Sequence, residues 1–196
     1  MIMKSVIIFE NERMRIFKGK TERIYLILTG SGGSLDGYND KYNVIANNKV
    51  NEFNAWVIVV AIKYGELSTG ETLIKDAFLK FDELTNSNHD DYDVYCFGQS
   101  LGGCILCVWA YKFNCIKKIV AVNPGLTKHF NEILECIEKS LTKITIVVGK
   151  LDKSYEKSKE LSKTKVEVIY IDGVGHSFIN QYEKVFIECA NLLEKN

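Results

Sequence analysis

The stretch 94-VYCFGQSLGGCILCVWA-110 sets one serine between Gly98 and Gly102, with an apolar run on either side. Residues 94–97 are rich in the β-branched and aromatic side chains that suit a strand. The run from Cys104 to Ala110 reads as a buried helix. A strand that turns directly into a helix presses the start of the helix against the end of the strand. A Cβ at position 98 or 102 would clash there, so both positions need glycine. The same turn holds its apex residue, Ser100, in strained backbone geometry and exposes the hydroxyl.

Outward from this turn, strands and helices alternate. Residues 5–9 and 14–17 read as two strands around a polar turn, an opening hairpin. Apolar runs at 24–28, 56–62, 93–97, 116–122, 144–148 and 166–171 suit strands buried on both faces, as parallel strands are. Helical spacing recurs through Tyr42, Ile45, Ala46, Val50 and Phe53, and again over 72–84, 130–137 and 182–193. No repeat, low-complexity tract or linker interrupts the pattern, and Pro124 is the only proline. The expected fold is α/β: a mostly parallel twisted sheet with helices on both faces and an antiparallel N-terminal hairpin. A single domain over 1–196 is expected.

The bulk numbers narrow the function. Lys plus Arg equals Asp plus Glu, 25 against 25, which gives no electrostatic argument for nucleic acid or an anionic membrane surface. No apolar run reaches the length of a membrane span, and residues 1–9 do not read as a secretory leader. A cytoplasmic protein is expected. Cys96, Cys104 and Cys107 lie within apolar runs and read as small buried side chains. Cys104 and Cys107 form a C-x-x-C, but no second pair or nearby histidine completes a metal set. Neither metal nor cofactor is expected.

In a parallel sheet the chemistry gathers outside the carboxyl ends of the strands. Those ends offer Gly30-Ser31-Gly32-Gly33, Tyr64, Ser100, Asn123, Asp152 and His176. With "GQSLG", the glycine-rich 29-TGSGGS-34, "GKLD" and "GVGH" in this order, the chain resembles the α/β-hydrolase superfamily over about residues 5–193. The resemblance implies a Ser100–His176–Asp152 triad and hydrolysis through an acyl-enzyme.

The residues support that assignment separately. Serine is a weak nucleophile at neutral pH and needs a base within hydrogen-bond reach. Of the three histidines, His176 follows the last strand in a loop of small residues. His89 and His129 read as surface residues. The base needs a carboxylate to hold its tautomer. Asp152 follows the 144–148 strand across a short turn, whereas Asp172 sits on the same strand end as His176 and should point away. The oxyanion of the tetrahedral intermediate calls for two N–H donors. Leu101, after the nucleophile, supplies one. The second falls in 29-TGSGGS-34, on Ser31 by position, with Gly30 and Gly32 as alternatives. Many superfamily members have His-Gly here, where this chain has Thr29-Gly30.

About twenty residues separate the 116–122 strand from the next, room for one helix and no large cap. An open site is expected, contacted by Gly30 and bordered by Tyr64, Leu126 and Phe130. It should take a small or flexible acyl ester or thioester. The expected activity is that of a serine hydrolase of carboxylesterase or thioesterase type. The alternatives are a catalytically silent binding or regulatory protein and an acyltransferase using the same triad. The sequence leaves the oligomeric state open.

Overall fold

The computed structural model describes residues 5–179 and 183–195. Strand β3 (Arg23–Ser31) shows how the sheet is built. Ile24, Leu26 and Leu28 face one core, while Tyr25 and Ile27 face the other. Strand β4 (Trp56–Ile62) does likewise, with Ile58, Val60 and Ile62 opposed to Val57, Val59 and Ala61. An unbroken apolar strand is stable only where both faces are covered, and each large apolar side chain so buried contributes roughly 1.5–3 kcal/mol.

Four further strands extend this pair in parallel: β5 (Asp93–Gln99), β6 (Ile116–Val122), β7 (Lys143–Gly149) and β8 (Glu167–Ile171). The hairpin of β1 (Ile7–Glu10) and β2 (Met14–Phe17) joins antiparallel along β4. The strand order is β1-β2-β4-β3-β5-β6-β7-β8. Helices α2 (Gly70–Thr85), α3 (Leu101–Trp109) and α4 (Leu126–Lys139) bury their apolar sides on one face of the sheet. Helices α1 (Lys41–Phe53) and α6 (Glu183–Cys189) cover the other. This is the α/β architecture expected from the sequence, hairpin included.

The differences are local. β3 runs three residues past its expected end, through Thr29 and Gly30 to Ser31. The ladder to β4 is irregular there, and Thr29 Oγ1 accepts the Ile62 N–H at 3.0 Å, which keeps the strands joined across the irregularity. Helix α4 starts at Leu126, four residues early, and is kinked at His129 (φ −124°, ψ 24°). The single turn α5 (Tyr155–Ser158) was not expected. Tyr182, the expected start of the last helix, lies outside the described residues. Among the described residues, no helix is long and apolar enough to cross a membrane.

Candidate active site

The turn from β5 into α3 has the geometry its glycines demand. Ser100 sits at φ 52°, ψ −119°, a conformation a side-chain-bearing residue rarely holds and one that costs on the order of 1–3 kcal/mol. A Cβ on Gly98 would lie 2.7 Å from the backbone of Gly102 and Gly103. One on Gly102 would lie 2.4 Å from the Thr29 carbonyl oxygen and 2.5 Å from that of Leu28. The turn therefore closes only with glycine at both places, and it seats the start of α3 directly on β3.

Ser100, Asp152 and His176 come together. His176 Nε2 is 2.9 Å from Ser100 Oγ, and its Nδ1 is 2.5 Å from Asp152 Oδ2. The other Asp152 oxygen accepts the Ser154 N–H at 2.6 Å. Burial alone would raise the Asp152 pKa, but the hydrogen bonds from His176 and Ser154 outweigh it and hold the carboxyl below its ordinary value. An ionised Asp152 only accepts, so Nδ1 carries the imidazole proton and Nε2 is left to accept from the Ser100 hydroxyl. Asp172 is turned away as expected, pairing with Lys150 at 2.7 Å.

The His176 loop is held from beneath by two side chains to which the sequence assigned no role, Asn123 among the strand-end residues and Gln99 beside the nucleophile. Asn123, buried at the end of β6, donates from Nδ2 to the carbonyls of Gly175 (3.1 Å) and His176 (3.0 Å), and its Oδ1 accepts the Gly149 N–H at 2.9 Å. Gln99, at the end of β5, donates from Nε2 to the same His176 carbonyl at 3.4 Å. The only sequence signal for either was its place at a strand end.

Two hollows meet at Ser100 and His176. The larger, about 500 Å³, lies between the β4–α2 connection and the start of α4 and is walled by Tyr64, Leu67, Leu101, Thr127 and His129. The smaller, about 350 Å³, lies over the start of α1 and is walled by Gly30, Lys41, Tyr42 and Gln99. Ser31 borders both. In the glycine-rich loop, Gly30 N–H donates to Tyr42 Oη at 3.1 Å, Gly32 N–H to Ile62 O at 2.8 Å and Gly33 N–H to Gly30 O at 2.9 Å. The Ser31 N–H takes part in no turn or side-chain hydrogen bond among the described residues.

Several expectations need correcting. Leu126 does not border the site. As the first residue of α4 its side chain turns into the core and is fully buried, and Thr127, Lys128 and His129 form the rim instead. Phe130 lines a separate hollow with Leu126 and Asn131, which Ser100 and His176 do not border. Tyr64 does border the site, 82% exposed, with its ring against Gly32. His89 and His129 are not free surface residues. His89 stacks on Phe78 and pairs with Asp82 at 2.7 Å, while the α4 kink brings His129 to the rim of the larger hollow. Cys104 and Cys107 are buried, as expected of small apolar side chains.

No protein-family model matches this chain, and no curated protein matches its sequence. Solved structures do match. Est1E from Butyrivibrio proteoclasticus is 16% identical with a TM-score of 0.70, over 98% of this chain and 98% of that one. A dienelactone hydrolase from Anabaena variabilis is 15% identical with a TM-score of 0.69, over 97% of each chain. An α/β serine hydrolase homologue from Coxiella burnetii is 18% identical with a TM-score of 0.65, over 98% of this chain and 96% of that one. At these identities the likeness is one of fold, and it extends over nearly the whole chain.

Proposed function

We propose that this chain, whose fold is that of the α/β-hydrolases, is a serine hydrolase acting on a small or flexible acyl ester or thioester. The observation that carries the reading is the unbroken hydrogen-bond chain from Ser100 Oγ through His176 to Asp152. The hydrolases among its structural neighbours agree with it.

In the proposed reaction Ser100 Oγ attacks the acyl carbonyl carbon while its proton passes to His176 Nε2. The imidazolium so formed is stabilised by Asp152, which stays ionised. The carbonyl oxygen becomes an oxyanion between the N–H of Leu101, at the open start of α3, and that of Ser31. The first N–H groups of a helix lack intrahelical acceptors, and Leu101 is the first residue of α3. Gly30 and Gly32 already donate elsewhere, which favours Ser31 over both. Each such donor contributes roughly 3 kcal/mol to the transition state. Collapse of the intermediate breaks the bond to the alcohol or thiol, which leaves with the proton from His176. Water then repeats the sequence on the acyl-enzyme, with His176 again as base.

A fluorophosphonate probe tests the reading. It should label the wild-type protein, and Ser100→Ala should abolish labelling and ester turnover together. Labelling that persists in the variant would remove Ser100 from the mechanism.

A further inference from the structure

Lys41, the first residue of α1, is only 6% exposed. Taking an ammonium out of water disfavours its charged form, so buried lysines are normally paired. Here Nζ donates to Gln99 Oε1 at 2.7 Å and stands 4.1 Å from the centroid of the Phe186 ring. Among the described residues no carboxylate lies within ion-pair distance of it. Glu183 acts on it from further away and is itself engaged by Asn39 Nδ2 at 2.7 Å. Burial pushes the Lys41 pKa down to about 8, with Glu183 opposing, so the side chain is still mainly charged at pH 7.

This cation lies in the wall of the smaller hollow, which Ser31, Ser100 and His176 also line. Gln99, its hydrogen-bond partner, is the residue before Ser100 and also accepts from the Tyr42 hydroxyl at 2.9 Å. Gln99 Oε1 is saturated by these two donors, and it supplies no negative charge. A buried ammonium without a counter-ion, facing a hollow that opens onto the reactive serine, is complementary to an anion. A single ammonium balances a single negative charge, which a carboxylate carries and a phosphate monoester exceeds.

We propose that the substrate carries a carboxylate on one arm of its ester or thioester, and that Lys41 binds this group in the smaller hollow. The proposal rests on the serine-hydrolase reading and names the substrate class for it.

Two pairs of esters test it at low ionic strength. 4-Nitrophenyl hemiadipate against 4-nitrophenyl hexanoate places the charge on the acyl arm. 4-Carboxyphenyl butanoate against phenyl butanoate places it on the leaving arm. In the wild type the carboxylate ester of one pair should have kcat/KM higher by at least about 10-fold, the scale of one charge-assisted hydrogen bond. Lys41→Met should collapse that ratio, and Lys41→Arg should keep part of it. As a check that needs no variant, adipate should slow fluorophosphonate labelling of wild-type Ser100 more than hexanol does. Equal turnover within both pairs, a ratio that survives Lys41→Met, or the absence of protection by adipate would overturn the proposal. If neutral esters turn over without a charge preference, only Lys41 loses its role. If no ester turns over and Ser100 is not labelled, the hydrolase reading falls and takes this one with it.

Discussion

At the scale of single residues, the site depends on which nitrogen of His176 holds the proton. Asp152 decides this because an ionised carboxylate can only accept. In Asp152→Asn the amide can instead donate to Nδ1, which puts the proton on Nε2 and removes the acceptor for the Ser100 hydroxyl. The expected loss is about 10³–10⁴-fold in kcat, with KM little changed. The same carboxylate also links stability to pH. Its folded pKa lies below the ordinary 3.8, so its contribution is fully present above about pH 4 and is lost as pH falls through the lower folded value. Urea unfolding should therefore show a stability gap between wild type and Asp152→Asn that narrows from pH 7 to pH 3. A gap that stays constant would mean that Asp152 contributes through packing alone. Much of this was legible in the chain, since only three histidines exist and only one follows the last strand. The partners of Asn123 and Gln99 were not, because a buried amide declares its role only through the groups it touches.

At the scale of elements, the contact of α3 with β3 and β5 decides whether the turn can close. Gly102→Ala would drive a methyl group into the Thr29 and Leu28 carbonyls. The helix must then retreat from the strand, at an overpacking cost of about 1–3 kcal/mol. For a chain of this length that lowers Tm by roughly 2–4 °C per kcal/mol. The shift should be accompanied by slower fluorophosphonate labelling, because the Leu101 N–H moves with the helix. Gly175→Ala is the control, since its Cβ would meet nothing within 4 Å. It should change Tm by the equivalent of less than about 0.5 kcal/mol. These glycines could be read directly, because a strand, a tight turn and a helix leave no other local solution. The start of α4 could not. Nothing in 126-LTKH-129 distinguishes a helix start from a loop, and the placement of Leu126 follows from the apolar cavity that α4 fills beside α3.

At the scale of the whole molecule, the order β5-β6-β7-β8 sets Ser100, Asn123, Asp152 and His176 at four successive strand ends. Neighbouring strands lie close to 5 Å apart, so long loops are unnecessary to gather them. Asn123 ties three of these ends together by bonding Gly149 at the end of β7 and the loop after β8. Asn123→Ala leaves those buried backbone groups with fewer partners, which costs about 1–3 kcal/mol. It also lets the His176 loop shift, and a displacement on the order of 1 Å lowers turnover by about 10²-fold. The expected split is a fall in kcat and in labelling rate with KM nearly unchanged. A variant that is destabilised but labels at the wild-type rate would reduce Asn123 to a packing role.

By itself the sequence determined the alternation of strands and helices, the parallel sheet with its hairpin, the glycine-bounded serine and the candidate acid and base. Each of these is written in local patterns: a period of two or 3.6, or a residue that the backbone geometry requires. Only the tertiary structure decided the buried amides beneath His176, the hydrogen bonds that engage the N–H groups of Gly30, Gly32 and Gly33, and the burial of the Lys41 ammonium in the wall of a hollow that Ser100 also lines. Such features depend on which distant groups a fold brings within 3 Å of each other, and on how much water it removes from between them.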